Sequence, residues 1–200
     1  MKNSIIRDDS SRKSARLGRP RSLATQEAVL AASLELTQRI GYAKLTMEGI
    51  AAEAGVGKQT IYRWWPSKAA IVLEAFTRDA SSTVSVKLTG NREADLAAFL
   101  AAVFRRMNGP SGIIFRSLLS EALTSPEFSA QLYNHYLTSR VEALTAILQQ
   151  ETTRPISADV LSQAIEMIYG AIWYRLIARK PLTPAVAGRL AKGAMGLMEG

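Results

Sequence analysis

The amino-acid sequence predicts an all-α protein of about nine helices, and three observations support this fold class. Apolar residues recur at three- and four-residue steps along most of the chain, as they do on one face of a helix. Several of these segments follow a Ser, Thr or Asn that can cap a helix, and several end at Gly or Pro. No segment shows a convincing strand pattern.

Residues 1–21 are predicted to form a flexible basic arm. Ser, Arg, Lys and Asp dominate this segment, and its apolar residues are too few for a packed core. The basic stretch from Arg12 to Arg21 has two interpretations, which the sequence leaves open. It can be a solubilising tail, or it can lie along DNA phosphates or in a minor groove.

Helical periodicity starts at Ser22, and the domain predicted for residues 22–67 contains three helices. Ser22 or Thr25 can cap the first helix, and Gly41 can end it. The second helix begins at Thr46, whose hydroxyl can accept a hydrogen bond from a first-turn amide. Residues 55–57 then form a glycine-containing turn, and a short third helix covers residues 58–65.

Residues 68–200 are predicted to form a larger helical domain. Its helices are separated by clear start and stop signals, among them the caps Asn91 and Ser157 and the cap–proline pair Ser125-Pro126. The predicted helices of this domain cover residues 68–82, 91–107, 111–124, 126–150, 157–178 and 184–198.

The composition narrows the possible classes of function. The chain has no Cys, and its one histidine, His135, cannot build a multi-histidine metal site. No glycine-rich phosphate loop or evident carboxylate pair indicates catalysis, so we expect no enzyme, no metal and no cofactor. The most apolar stretch, residues 167–174, is far shorter than the roughly 18 residues of a membrane span. We therefore expect a soluble cytoplasmic protein that does not enter a membrane.

Positive charge is concentrated in the first third of the chain. The formal net charge is +8, and residues 1–68, with 12 Lys/Arg and 6 Asp/Glu, carry +6 of it. This asymmetry favours a nucleic acid or an acidic membrane surface as the partner of that end.

Residues 46–65 have the form of a helix-turn-helix, in which a glycine-containing turn joins two short helices. Ile50, Ala51 and Ala54 can pack the first helix against the second, and the small side chain of Ala51 permits a close approach. The second helix can then enter a major groove about 12 Å wide and present side chains to base edges. The motif therefore predicts binding to double-stranded DNA.

Several short groups of residues between Val29 and Leu73 match one known family in order and spacing. They are Val29-Leu30-Ala31-Ala32, Gly41-Tyr42, Leu45-Thr46-Met47, Ile50-Ala51, Ala54-Gly55-Val56, Thr60-Ile61-Tyr62 and Ser67-Lys68-Ala69. This region resembles the DNA-binding domain of the TetR (AcrR-like) repressor family. Gly57 departs from the family pattern, which usually has Ser or Thr at that position.

The resemblance implies which residues contact phosphates. Thr46 is expected to hold a phosphate with its hydroxyl, and Tyr62 and Lys68 occupy positions that typically bind phosphates. Two of these residues also have a simpler interpretation. Tyr62 can be a half-buried core residue, and Lys68 can be a solvated surface charge.

The resemblance also places Lys58, Gln59 and Thr60 at the start of the recognition helix, facing the groove. Gln59 can read adenine, and Lys58 can reach guanine or a phosphate. Arg63 and Trp64 complete the predicted DNA-contacting set, although Arg63 can also be a solvated surface charge. Trp65 is expected in the core, in the slot where the family commonly has Phe.

The larger domain is expected to bind a small molecule and to form a homodimer through the last two helices, as the resemblance implies. Pockets are mostly apolar, with a few placed polar groups. The aromatic residues predicted to line the pocket, each of which can instead be ordinary core, are Phe99, Phe115, Tyr133, Tyr136, Tyr169 and Trp173.

Together these observations predict a sequence-specific DNA-binding regulator, by family default a repressor, that a small-molecule ligand releases from a palindromic operator. Two alternatives stay open. A non-specific basic DNA-binding protein would need basic charge over its whole surface, whereas residues 69–200 are nearly neutral. An all-α enzyme would need a catalytic motif, which the sequence does not show.

Overall fold

The structure is a computed structural model that describes residues 22–81, 88–150 and 156–199, so the predicted basic arm lies outside the described residues. Within these ranges the chain forms nine helices and no strand, which confirms the all-α fold. We number the helices α1 to α9 in chain order. Their bounds are α1 Leu23–Ile40, α2 Met47–Glu53, α3 Lys58–Trp64, α4 Lys68–Ser81, α5 Arg92–Met107, α6 Pro110–Ala122, α7 (three consecutive parts, Pro126–Leu132, Tyr133–Leu137 and Thr138–Leu148), α8 Ala158–Ile177 and α9 Pro184–Glu199.

Side-chain hydrogen bonds cap the start of several of the predicted helices. Ser22, Asn91, Ser125 and Ser157 each accept a hydrogen bond from the amide three residues later, so these predicted caps are confirmed. Gly41 ends α1 with a φ of 83°, a conformation that L side chains rarely adopt. A short 3₁₀ turn, Tyr42–Lys44, follows it and was not part of the predicted pattern.

The first three helices form a small unit that packs on α4. Gly55, with a φ of 65°, makes the turn between α2 and α3. Val29 of α1, Ile50 of α2 and Ile61 of α3 are all fully buried, and they belong to one continuous hydrophobic core. Burial of these apolar side chains fixes which face of α3 is turned outward.

The helix predicted as one segment over residues 126–150 contains a π-helical turn at Tyr133–Leu137. At this turn both the amide and the hydroxyl of Thr138 donate to the carbonyl oxygen of Tyr133, the hydroxyl at 3.0 Å. The wider turn leaves Tyr136 and Leu137 buried, while Tyr133 is 52% exposed. Such turns are frequent at functional sites, and this one packs against α4.

The larger domain surrounds a second part of the core. Helix α9 packs mainly against α5 and α8, and α4 packs against α6. Asp95 near the start of α5 is buried, and it accepts hydrogen bonds from the amide and the hydroxyl of Thr89 at 2.9 and 2.7 Å. Across the described ranges, no helix combines the length and the apolar character needed to cross a membrane.

Candidate DNA-binding interface and ligand cavity

The outward face of α3 carries four of the predicted DNA-contacting residues. Because Ile61 is fully buried, the helical register turns Lys58, Gln59, Tyr62 and Arg63 toward solvent, and all four are exposed. Three are donors of hydrogen bonds through an ammonium, a phenol or a guanidinium group, and Gln59 offers both a donor and an acceptor. This face therefore carries the groups needed to contact phosphates and base edges.

Thr46 lies at the N-terminus of α2 and is exposed. Its Oγ1 accepts a hydrogen bond from the amide of Gly49 at 3.0 Å, which confirms the predicted cap. The hydroxyl hydrogen is still able to donate to a phosphate, as a Ser or Thr hydroxyl both donates and accepts.

Tyr62 is tied to α2 rather than buried in the core. Its side chain is 52% exposed, and its hydroxyl donates to Oε1 of Glu48 at 2.8 Å. This hydrogen bond raises the pKa of Tyr62 and lowers the pKa of Glu48, and the nearby charge of Lys58 lowers the Glu48 pKa further. The tyrosine therefore stays a protonated donor, and α2 and α3 bring Glu48, Lys58 and Tyr62 together.

Thr60, Arg63 and Trp64 line a polar notch beside the first turn of α1. The notch has a volume of about 350 Å³, and Ser22 and Gly57 also line it. The Arg63 guanidinium lies 6.0 Å from the centre of the Trp64 ring, a cation–π distance. Thr60 and Trp64 are half-buried, so each exposes only part of its side chain to a partner.

Trp65 is buried, as predicted, and a carboxylate fixes its orientation. Its Nε1 donates to Oε2 of Glu74 in α4 at 2.6 Å. The other oxygen of Glu74 accepts from Nε2 of Gln26 in α1 at 2.5 Å, and it pairs with Arg78 at 2.9 Å. Glu74 thus joins α1, the end of α3 and α4, and it was not among the predicted functional residues.

Lys68 points into the protein and not toward an open surface. Its Nζ donates to the carbonyl oxygens of Tyr42 and Leu45 at 3.0 and 2.9 Å, and it lies 4.5 Å from the centre of the Tyr42 ring. These three contacts use the donors of the ammonium group. The structure favours Lys68 as an anchor that joins α4 to the loop before α2, a role that the sequence did not indicate. A phosphate contact by Lys68 stays a prediction.

A cavity of about 30 Å³ lies inside the larger domain, between α5, α6, α7 and α8. Five of the six predicted pocket aromatics line it, although these residues are far apart along the chain. These residues are Phe99, Phe115, Tyr136, Tyr169 and Trp173. Arg140 also lines this cavity and was not among the predicted residues.

Tyr133 does not line this cavity. It lines an outer groove of about 390 Å³ between α7 and α8, together with Tyr169 and Trp173. Those two aromatics line both spaces and form the wall that separates them. Tyr133 thus borders the adjoining groove and not the inner cavity, and its place in the ligand pocket stays a prediction.

Phe76 of α4 connects the cavity to the DNA-binding unit. It is fully buried, and its ring lies 5.7 Å from Phe115 and 4.9 Å from Tyr136, both of which line the cavity. Helix α4 also packs along α1. A change in the packing around Phe115 and Tyr136 therefore acts directly on a side chain of α4. The sequence carried no signal for Phe76, which has the spacing of an ordinary core residue.

A second connection runs through Tyr42, just after α1. Its hydroxyl donates to Oε2 of Glu121 at the end of α6 at 3.0 Å. Burial of the phenol raises the pKa of Tyr42 most, and this hydrogen bond raises it further. The phenol therefore stays protonated at neutral pH. The same tyrosine ring receives Lys68, so α1, α4 and α6 meet at one residue.

Two family models match the chain and together cover most of it. The model for bacterial regulatory proteins of the tetR family matches residues 29–75, and the model for a tetracyclin repressor-like C-terminal domain matches residues 86–194. The first contains the helix-turn-helix and the second contains the residues that line the cavity.

Similar proteins agree with these matches. The HTH-type transcriptional regulator YdeS of Bacillus subtilis is 27% identical over 80% of this chain and 82% of its own length. The DNA-binding transcriptional repressor TetR of Mycobacteroides abscessus is 30% identical over 82% of this chain and 87% of its own. The crystal structure of the TetR family transcription regulator SCO0332 superposes with a TM-score of 0.70 at 28% identity and covers 86% of this chain and 97% of that one. The chain therefore belongs to the TetR family of bacterial transcriptional regulators.

Proposed function

We propose that this protein is a homodimeric repressor that binds a palindromic operator through α3 of each protomer and leaves it when a small molecule occupies the larger domain. The observation that carries the proposal is the outward face of α3, where Lys58, Gln59, Tyr62 and Arg63 are exposed on a helix anchored by buried Ile61. In this proposal residues 22–67 bind DNA, and residues 68–200 bind the ligand and dimerise. The protein acts in the cytoplasm, where bacterial DNA lies, and it has no catalytic role.

The exposed residues divide into two roles on DNA. Gln59 reads a base edge, because its amide can pair with adenine in two hydrogen bonds. Thr46, Tyr62 and Arg63 position the helix through phosphates, which fixes the register without reading sequence. For Tyr62 to reach a phosphate, its hydroxyl exchanges the carboxylate of Glu48 for a phosphate oxygen, which is another anionic acceptor.

The proposed dimer forms through α8 and α9. Tyr174 and Ile177 of α8 are 60% and 66% exposed, and Leu197 of α9 is also exposed. Gly170 of α8 and Gly196 of α9 lie in open space, so a partner backbone can approach closely there. Large exposed apolar residues on two neighbouring helices are typical of an interface, and a second copy gives the twofold symmetry that a palindrome requires.

Release from DNA follows from linkage between the two sites. A ligand that binds better to a state with a different separation of the two α3 helices must weaken operator binding, and the operator must weaken ligand binding by the same factor. Phe76 and the Tyr42–Glu121 hydrogen bond are the contacts through which the larger domain acts on the DNA-binding unit. Helix α4 is the proposed lever.

Selection of binding sites from random duplex DNA, at fixed salt, tests the DNA-binding part of this proposal. We expect an enriched palindrome with two half-sites. Gln59→Ala should relax the base preference at one position in each half-site, with a loss of about 1–3 kcal/mol of base discrimination at each of these positions. Gln149→Ala, which changes an exposed residue after α7, is the control and should leave the base preference unchanged. Salt-sensitive binding with no enriched sequence would instead favour a non-specific DNA-binding protein.

A further inference from the structure

A carboxylate that the sequence did not indicate as a DNA contact lies beside the outward face of α3. Glu48, in the first turn of α2, is exposed, and its Oε1 accepts the hydrogen bond from the Tyr62 hydroxyl at 2.8 Å. This hydrogen bond lowers the pKa of Glu48 most, and the positive charge of Lys58 in α3 lowers it further. Because Tyr62 and Lys58 belong to the surface proposed to meet DNA, Glu48 lies within the proposed interface.

The charge of Glu48 limits which groups of DNA it can contact. Its pKa lies below the ordinary value of a glutamate, so the carboxylate is ionised at neutral pH and only accepts hydrogen bonds. DNA phosphates are also negatively charged acceptors, so Glu48 repels them. In the major groove, the base-edge groups that donate are the amino groups of cytosine and adenine. A base amino group is therefore the part of DNA that matches this carboxylate.

We propose that Glu48 is a specificity-determining residue, whose carboxylate leaves Tyr62 on the operator and accepts a hydrogen bond from the N4 amino group of a cytosine. Cytosine matches better than adenine, since its edge offers a donor without an acceptor, whereas adenine has the acceptor N7 beside its amino group. This inference rests on the proposed function, in which α3 enters the major groove. It adds a residue of α2 to the base reading assigned to Gln59 of α3.

The hydrogen bond between Tyr62 and Glu48 links phosphate contact to base reading. When the Tyr62 hydroxyl turns to a phosphate, the Glu48 carboxylate loses the donor that α3 supplies. A cytosine amino group replaces that donor, so one hydrogen bond to a charged acceptor becomes two. At a base that presents no amino group, the carboxylate is left beside the phosphates without this donor, which weakens binding. Glu48 thus favours the operator and opposes non-specific binding with the same group.

Selection of binding sites from random duplex DNA, with the wild type and Glu48→Gln compared at the same salt concentration, tests this inference. We expect each half-site of the wild-type palindrome to contain a position that prefers cytosine on one strand. Glu48→Gln should lower that preference at least about 5-fold, because a glutamine amide donates as well as accepts and no longer requires a base donor. Glu48→Ala, which has no side-chain acceptor, should lose the preference as well.

Glu53→Gln is the matched control, because it removes the same charge from the same helix. Glu53 is the last residue of α2, and it pairs with Arg39 of α1 at 2.8 Å rather than with a residue of α3. Its replacement should leave every base preference unchanged. An unchanged cytosine preference in Glu48→Gln, or the same loss of preference in Glu53→Gln, would overturn the role of Glu48.

Affinities for the operator and for a scrambled duplex of equal length separate base reading from simple repulsion. Glu48→Gln should bind the scrambled duplex more tightly than the wild type does, because each protomer has lost a charge that repels phosphates, while operator binding gains less. The ratio of the two affinities should therefore fall at least about 5-fold, whereas in Glu53→Gln it should stay within about twofold. An equal gain on both duplexes would show that Glu48 only repels phosphates, and it would refute the inference.

The result for the wild type keeps this inference separate from the proposed function. A wild-type palindrome with a cytosine preference that Glu48→Gln removes supports both. A palindrome whose base preferences Glu48→Gln leaves unchanged keeps the proposed function and refutes the inference. Salt-dependent binding of the wild type with no enriched sequence refutes sequence-specific recognition, and base reading by Glu48 fails with it.

Discussion

Replacement of Glu74 by Ala tests whether one carboxylate holds the recognition helix in place. Glu74 accepts hydrogen bonds from Trp65 Nε1 and Gln26 Nε2, and both donor residues are at least 94% buried, with exposures of 3% and 6%. Removal of the acceptor leaves two buried donors unpaired, and each costs about 1–3 kcal/mol. The ion pair with Arg78 is half-exposed and adds little, about 0–1 kcal/mol.

The surroundings of Glu74 place the expected loss at the low end of this range. Glu74 and Trp65 border a surface groove of about 380 Å³, so water can replace part of the missing carboxylate. We therefore expect Glu74→Ala to lower the free energy of unfolding by about 2–3 kcal/mol, and the melting temperature by about 4–12 °C. Glu74→Gln should lose about half as much, because its single oxygen can serve only one of the two donors.

Thermal unfolding at one fixed protein concentration measures this loss, since the stability of a dimer depends on concentration. Glu142→Ala, which removes an exposed glutamate from α7, is the control and should change stability by less than about 0.5 kcal/mol. Operator affinity should also fall in Glu74→Ala, because Trp65 adjoins the end of α3. A loss of stability below about 1 kcal/mol would show that the two buried hydrogen bonds do not hold this unit together.

Three further predictions concern single positions. Gly57→Ser should stabilise the protein by about 0.2–0.5 kcal/mol, because Gly57 is the N-cap of α3 at a φ of −71° and a Cβ added there would meet no neighbouring atom. Urea unfolding measures the gain, and a loss of stability would contradict this geometry. Lys68→Met should lower the free energy of unfolding by about 1–3 kcal/mol and leave the salt dependence of operator binding unchanged. A salt slope smaller by about one unit would show that Lys68 contacts a phosphate. Asp95→Asn should destabilise the protein at pH 7, because hydrogen bonds from Thr89 lower the pKa of the folded carboxyl. That stabilisation is present above the unfolded pKa of about 3.9 and is lost as pH falls through the folded value, so the penalty measured by urea unfolding should shrink below about pH 4; a penalty independent of pH would refute it.

The prediction of the fold from the sequence succeeded where the determining interactions are local. Each cap is a hydroxyl or amide oxygen three residues before its partner amide, and Gly41 and Gly55 adopt the positive φ that glycine allows. The boundaries of α7 show the limit of this approach. Its π-helical turn at Tyr133–Leu137 interrupts the α-helix, and the periodicity of residues 126–150 does not indicate it.

The candidate site was predictable in part for the same reason. The period of a helix around the apolar Ile61 places Lys58, Gln59, Tyr62 and Arg63 on one outward face, and the structure has this arrangement. Lys68 differs because its partners, the carbonyl oxygens of Tyr42 and Leu45, belong to a loop more than twenty residues earlier. No spacing within α4 carries that information.

The sequence by itself determined that this protein is all-α, that its N-terminal unit is a helix-turn-helix, and which residues α3 exposes. These properties depend on backbone hydrogen bonds, caps and apolar periods that act within a few residues. Only the tertiary structure decided that Arg140 shares a cavity with Tyr169 and Trp173, that Tyr133 faces an outer groove, and that Phe76 of α4 stacks on the cavity lining. Those contacts join helices distant along the chain, and they follow from how the helices pack, which the periodicity of each helix alone leaves undetermined.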